Sequence, residues 1–251
     1  MSDAVLVTDV DGVRTITWND PDRLNGLSGV MVDLASDAVE RPPAGTRVIV
    51  VTGAGRGFST GARLDGPISG TEPMDRANRL IRAIVASPVP VVAAVNGPAA
   101  GFGCSVALAA DITVARESAY FLLPFTSIGL MPDGGTTAVV AASIGRARAS
   151  AMALMGERLP ASEAASAGLI YRAVPDDDFA AEVDRVVDRL ARGASVAYRA
   201  TKQAIAAATL PHLDGALDRE RDQQVQLFDT ADFAEGTTAF LAKRPPVFQG
   251  R

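Results

Sequence analysis

Two unbroken apolar runs, residues 48–51 (Val-Ile-Val-Val) and 90–95, are separated by a segment with helical periodicity. Strands apolar at every position, alternating with helices, predict a sheet covered on both faces. In residues 74–86, Ala77, Leu80, Ile81, Ile84 and Val85 share one stripe of an amphipathic helix, which Ser87-Pro88 ends. Residues 4–9 and 13–18 flank Asp11-Gly12 and predict an antiparallel hairpin at the sheet edge. Residues 21–28 read as irregular, and 29–40 as a helix stopped by Pro42-Pro43. A buried helix over 103–110 and short strands over 112–115 and 120–123 follow.

From Gly134 the pattern turns helical. Helices are predicted over 136–144, 147–155 and 161–167, the last with Ser162 as cap and Gly168 as stop. Four more, over 179–192, 196–208, 213–228 and 231–241, are rich in Asp, Arg and Glu. Their apolar positions need a covering surface, either the core or a neighbouring subunit. Periodicity by itself gives an α/β fold with a helical tail.

At 251 residues and 48% apolar composition, the chain can bury one large core, so a single domain is expected. The net charge of −5 and the lack of a basic run exclude nucleic acid as an expected partner, since phosphate binding needs clustered Lys and Arg. The one cysteine, Cys104, excludes an internal disulfide and reads as a small core hydrophobe in a reducing compartment. The N-terminus has neither the basic nor the apolar region of a signal peptide, and no run has the length of a membrane span, so a cytoplasmic location is expected.

Chemistry concentrates at residues 53–64, Gly-Ala-Gly-Arg-Gly-Phe-Ser-Thr-Gly-Ala-Arg-Leu, directly after the first apolar run. Such glycine density beyond a buried strand implies backbone amides exposed for use. Gly57-Phe58-Ser59-Thr60-Gly61 fits the G-x-S-x-G nucleophile elbow, with the sole histidine, His212, later in the chain. An elbow serine sits directly off its strand, however, and Ser59 follows Thr52 by a glycine loop. A dinucleotide fingerprint fails because Phe58 stands where its last glycine belongs, and a P-loop fails for want of G-K-[ST].

A third reading rests on two motifs in order. Gly-x-Gly-Phe-Ser-x-Gly-Ala-x-Leu is followed by Asn96-Gly97-Pro98-Ala99-Ala100-Gly101-Phe102-Gly103 and Ala109-Ala110-Asp111-Ile112. The pair resembles the oxyanion-hole segments of the crotonase family, the enoyl-CoA hydratases and isomerases. Pro21-x-Arg23-Leu24-Asn25-Gly26-Leu27 and the ending Phe240-Leu241-Ala242-Lys243-Arg244-Pro245-Pro246-x-Phe248 extend the resemblance over nearly the whole chain. It implies a crotonase-like ββα superhelix with a C-terminal helical trimerisation region: a core over 1–190 and, in the same domain, a helical region over 191–251. It also implies an acyl-CoA thioester substrate, coenzyme A as part of that substrate with no tightly bound cofactor, and a homotrimer or dimer of trimers; no Cys, His and carboxylate cluster has metal-ligand spacing, so no metal is expected.

Carried over by position, the oxyanion donors are the backbone N–H groups of Ala62 and Phe102. Fixed amide dipoles at a developing enolate oxygen stabilise it without reorganisation. The resemblance places Arg23, Leu24, Ala62 and Leu64 along CoA, with Phe240 and Lys243 contributed by an adjacent subunit and one helical turn apart. Arg63 replaces an aspartate common in the family, either reaching a phosphate or lying on the surface.

The two water-activating glutamates of the hydratases are replaced by Ser105 and Phe125, neither of which can do a carboxylate's proton transfer. Asp133, eight residues beyond Phe125, occupies the offset at which dienoyl-CoA isomerases carry a catalytic aspartate. Pro132-Asp133-Gly134-Gly135 before a helix is equally a good cap or turn. The resemblance therefore implies isomerase-type proton transfer through a thioester enolate. The alternative is a non-catalytic acyl-CoA binding protein on the same scaffold.

Overall fold

The computed structural model describes residues 4–64, 66 and 68–251. The predicted hairpin is present: β1 (Val5–Val10) pairs antiparallel with β2 (Val13–Trp18) through Asp11 and Gly12, both at positive φ. A 3-10 turn over Pro21–Arg23 leads to α1 (Gly29–Glu40), where the Ser28 hydroxyl accepts the Met31 N–H at 3.3 Å as an N-cap. Next come β3 (Val48–Gly53), α2 (Glu72–Ala86), β4 (Val91–Val95), β5 (Ala99–Ala100), α3 (Phe102–Ala109), β6 (Ile112–Arg116) and β7 (Tyr120–Leu122). A 3-10 turn over Phe125–Ile128 precedes α4 (Thr136–Met155), β8 (Leu159–Pro160), α5 (Ala161–Ala167) and β9 (Arg172–Val174). The chain ends in α6 (Phe179–Ala191), α7 (Ser195–Thr209), α8 (Leu213–Phe228) and α9 (Ala231–Leu241).

Six strands form one sheet in the order β1-β2-β3-β4-β6-β9, parallel from β2 onward, while β5, β7 and β8 form a second, smaller sheet. The apolar runs have the two-sided cover expected of them. Ile49, Val51, Val91, Ala93 and Val95 enter the main core with α1, α2 and α3. Val48, Val50, Val92 and Ala94 point the other way, into a cluster closed by Phe179, Val186, Val187 and Leu190 of α6.

The helical tail is covered in two different ways. Leu213 and Leu217 of α8 and Phe233 of α9 join the main core. On α7 only Lys202 is buried, and it ion-pairs with Asp111 at 2.8 Å while donating to the Ile84 carbonyl at 3.1 Å. That pairing gives Asp111, at the end of the second glycine motif, a structural purpose: it also accepts the Val91 N–H at 2.8 Å and so fixes the start of β4. Large apolar side chains stay exposed on Leu154, Met155, Val196, Ile205, Phe240 and Leu241.

Helix α4 has the length and apolar composition of a membrane span. It is interrupted at Gly145 (φ 78°, ψ 160°), close to the break expected between residues 144 and 147. Each half is therefore about half the ~20 residues that a span requires.

Three local expectations change. Ser162 does not cap α5, because Leu159–Pro160 pairs with β7 and the chain passes directly from that strand into the helix at Ala161. Helix α2 starts at Glu72, since Pro73 is tolerated in a first turn that has no use for its missing N–H. Strands β5, β8 and β9 have two or three residues each and exist through pairing alone, below the length at which alternation shows.

Candidate active site

The glycine loop beyond β3 is built on two buried asparagines. Asn25 donates from Nδ2 to the carbonyls of Ala54 (2.9 Å) and Gly57 (2.8 Å) and accepts the Asp20 N–H at 2.9 Å. Asn96 donates to the carbonyls of Gly55 (3.0 Å) and Gly57 (3.3 Å) and accepts the Gly53 N–H at 3.2 Å. A loop too short for its own ladder thus has its buried polar groups satisfied by side chains. Asn25→Ala leaves the Ala54 carbonyl and the Asp20 N–H unpaired and the Gly57 carbonyl with Asn96 alone. It is expected to cost about 1–3 kcal/mol in stability, measured as a fall in the urea midpoint at unchanged slope.

Two isolated parallel bridges fix the first glycine motif: Ser59 to Ala99 aligns it with the later motif, and Leu27 to Ala62 ties it to the segment before α1. In the second, Leu27 donates to the Gly61 carbonyl (2.8 Å) and accepts from the Arg63 N–H (3.0 Å), so the N–H of Ala62 itself points away from Leu27. Phe102 opens α3, where the first N–H groups have no partner within the helix. Among the described residues neither the Ala62 nor the Phe102 N–H has an acceptor in the protein. The two strands of backbone touch: a Cβ on Gly61, at φ +90°, would lie 3.0 Å from the Phe102 nitrogen.

Ser59 has a different task from the nucleophile that the G-x-S-x-G reading required. It is fully buried, its hydroxyl donates to the Asn25 carbonyl at 2.8 Å and accepts the Gly61 N–H at 3.2 Å, and α3 passes directly over it at Gly103. His212 is exposed at the start of α8 and makes no side-chain cap bond. Cys104 is buried, and desolvation pushes its thiol up to about 12, leaving an inert core residue.

The second motif leads to Asp133. Ser105 donates its hydroxyl to the Asp133 carbonyl at 2.9 Å. The Thr136 hydroxyl donates to the same oxygen, also at 2.9 Å. Gly134, at φ +64°, lets the turn close onto α3: a Cβ there would meet Ser105 at 2.6 Å and the Phe102 ring at 3.1 Å. The Phe102 side chain is thus turned towards the Asp133 turn. Phe125 is buried in its 3-10 turn.

The Asp133 carboxyl does not cap α4. That position belongs to Glu220 of α8, whose carboxylate accepts the N–H groups of Gly135 (2.7 Å) and Thr137 (3.1 Å). Asp133 is 8% exposed; its Oδ2 accepts Gln224 Nε2 at 3.0 Å, and its Oδ1 has no partner. Desolvation raises its proton affinity, the Gln224 hydrogen bond opposes that, and nearby Glu220 adds to it, bringing the carboxyl to about 7. The sequence pattern offered no sign of Glu220 or Gln224 as site residues. They sit in the acidic helical tail, and only their spacing of four residues, which puts them on one helical face, could have linked them.

The CoA candidates fall into two groups. Leu24, at φ +50°, packs against Gly57, and its carbonyl accepts the Thr60 N–H at 3.1 Å, which sets the segment 24–27 beside residues 60–63. Arg63 is half-buried, ion-paired with Asp20 and bonded to the Gly26 carbonyl at 3.1 Å; it braces the loop, where the sequence suggested a phosphate contact or a free surface position. Phe240 and Lys243 are exposed at the end of α9, which packs on the Phe125–Ile128 turn and on α8. Lys243 lies past the helix end at φ +53°, so helical spacing does not set its direction relative to Phe240.

A family described as Enoyl-CoA hydratase/isomerase matches residues 8–251. The chain belongs to that family. A probable enoyl-CoA hydratase of Rhodobacter capsulatus is 44% identical over 246 residues, covering 96% of each chain. The 1,2-epoxyphenylacetyl-CoA isomerase of Escherichia coli is 40% identical over 252 residues, again 96% of each. The crystal structure of an enoyl-CoA hydratase from Mycobacterium avium subsp. paratuberculosis superposes with a TM-score of 0.93 at 51% identity, over 98% of each chain. The chain is thus a crotonase-family enzyme with that family's fold, and the expected ββα architecture with terminal helices agrees with it. Members act on CoA thioesters, in keeping with the paired amides of the glycine loops.

Proposed function

We propose that this crotonase-family enzyme is an acyl-CoA isomerase in which Asp133 moves a proton across an enolate held by the Ala62 and Phe102 amides. The carrying observation is the Asp133 carboxyl itself: buried, with one oxygen unpartnered, and poised near 7. A base of that affinity is half-ionised at neutral pH, which suits both removal and return of a proton. The carboxylate takes a proton from carbon, the electron pair moves onto the thioester oxygen under the two amides, and the same proton returns at another carbon. No water is consumed. The Ser105 and Phe125 environments support this, since neither offers a carboxylate to hold an attacking water. The 40% identity to an enzyme named an isomerase points the same way.

In this reading Arg23, Leu24, Ala62 and Leu64 line CoA, and Phe240 and Lys243 of an adjacent subunit complete its site in a trimer or dimer of trimers in the cytoplasm. The test mixes purified protein separately with 2-enoyl-, 3-enoyl- and dienoyl-CoA, following thioester absorbance and product mass. Absorbance change at constant mass is expected. A mass gain of one water would replace isomerase by hydratase. No reaction, with acyl-CoA still bound in calorimetry, would favour the non-catalytic alternative that the lost glutamates suggest.

A further inference from the structure

Helix α8 belongs to the tail, yet it reaches the turn that carries Asp133 with two of its most buried side chains, Glu220 and Gln224, each 1% exposed. Gln224 uses its whole amide on one loop. Its Oε1 accepts the Met131 N–H at 3.1 Å, and its Nε2 donates to the Met131 carbonyl at 2.9 Å and to Asp133 Oδ2 at 3.0 Å. One turn earlier, Glu220 takes the backbone N–H groups of Gly135 and Thr137 and the Thr137 hydroxyl at 2.5 Å. Residues 131–137 are thereby held from both ends by one helix face, with Asp133 between the two grips.

We propose that Gln224 and Glu220 are positioning residues for the Asp133 carboxyl: Gln224 occupies Oδ2 and leaves Oδ1 as the oxygen that exchanges the proton, while Glu220 holds the first turn of α4 and relieves Asp133 of capping it. The proposal rests on the isomerase reading for its catalytic meaning, but the hydrogen-bonding role can be tested without turnover. Two opposed influences reach the carboxyl from α8. The Gln224 donor favours the ionised form, and the Glu220 charge disfavours it. Arg219, next to Glu220, moderates that second charge. The other contacts of this turn, Phe102 and Ser105 of α3 and Thr136 and Thr137 of α4, carry no charge. A merely structural pair would lower stability and leave the titration where it was. A positioning pair moves the titration in opposite directions when each member is changed.

The experiment follows the Asp133 carboxyl by infrared or carbon NMR titration in the ligand-free protein, beside the pH dependence of kcat. Gln224→Met keeps volume and removes the donor. It is expected to shift the titration and the acidic limb of kcat upward by about one pH unit, the scale of a hydrogen bond to a charged group. At neutral pH, kcat is expected to fall several-fold while KM stays within about twofold. Glu220→Gln keeps the shape, removes the charge and is expected to shift both downward. Because an amide at 220 also sets an N–H against that of Gly135, Gln224→Glu serves as a second variant if it fails to fold. That change keeps an acceptor for Met131, replaces the donor by a charge, and is expected to shift the titration further upward than Gln224→Met. An unmoved or downward titration in Gln224→Met overturns the proposal. If the carboxyl titration shifts as described but Asp133→Asn retains turnover, the positioning stands and the isomerase role of Asp133 falls.

Discussion

Asp133→Asn is expected to lower kcat on any isomerisable acyl-CoA by about 10²–10⁴-fold, the usual contribution of a positioned general acid–base group. KM should stay within a few-fold, because the proposed amide donors at Ala62 and Phe102 and the proposed CoA contacts are untouched. The substitution keeps the shape of the side chain, and an asparagine Oδ1 can still accept from Gln224 Nε2, so a loss of rate reports the lost proton acceptor. Turnover within threefold of wild type would remove Asp133 from the mechanism.

The same variant is expected to be more stable than wild type in alkaline solution. In the folded protein burial raises the Asp133 carboxyl from 3.8 to about 7. Below the unfolded value both states carry the proton, and wild type and variant are equally stable. As pH rises towards 7, the unfolded chain releases its proton and the folded one retains it, so wild-type stability declines and levels off above that point. The asparagine is neutral throughout and escapes the decline. The variant should match wild type near pH 3.5 and exceed it at pH 8 by up to about 4 kcal/mol, from 1.36 kcal/mol for each pH unit of displacement. Denaturant midpoints at the two pH values measure this. A variant less stable at pH 8 would show that Asp133 is ionised in the folded protein at no cost.

Gly61→Ala carries the second large effect, through the proposed pair of oxyanion donors. The new Cβ would lie 2.9 Å from the Ala100 carbonyl oxygen and 3.0 Å from the Phe102 nitrogen, at a φ of +90° that an L side chain resists. Relief requires the 59–62 segment to move away from 99–102, separating the Ala62 and Phe102 amides. Loss of one such donor costs other enzymes about 10²–10³ in kcat, and the same loss is expected here. Strain adds about 1–2 kcal/mol of destabilisation. Steady-state kinetics beside a thermal melt separate the two. A stable variant with kcat within threefold of wild type would show that these amides do not hold the substrate oxygen. The control Thr60→Ala removes only an exposed hydroxyl 3.5 Å from the Leu24 carbonyl, and it should leave kcat unchanged.

Much of this arrangement is written locally. The unbroken apolar runs at 48–51 and 91–95 required cover on both faces of the sheet, because every second side chain points the opposite way. The glycines at 53, 61 and 101 marked where backbone approaches backbone, and Asp11-Gly12 and the break near Gly145 carried their own turn signals. The sequence by itself therefore determined the sheet order's raw material, the two glycine loops, the absence of a carboxylate at Ser105 and Phe125 and the place of Asp133 in a turn ahead of a helix.

What Asp133 can do was decided only in three dimensions. A Pro-Asp-Gly-Gly segment before a helix predicts a cap, and capping would have occupied the carboxyl. Tertiary packing instead brings Glu220, more than 80 residues away in the chain, to the N-terminus of α4, and places Gln224 on one oxygen of Asp133. The same holds for Ser59, whose motif suggested a nucleophile until burial under α3 and a bond to the Asn25 carbonyl committed its hydroxyl. Periodicity and motif spacing report on neighbours a few residues away. The proton affinity of a buried carboxyl depends on which distant groups fill its hydrogen-bonding positions and exclude water, and that is set by how the helical tail packs back on the core.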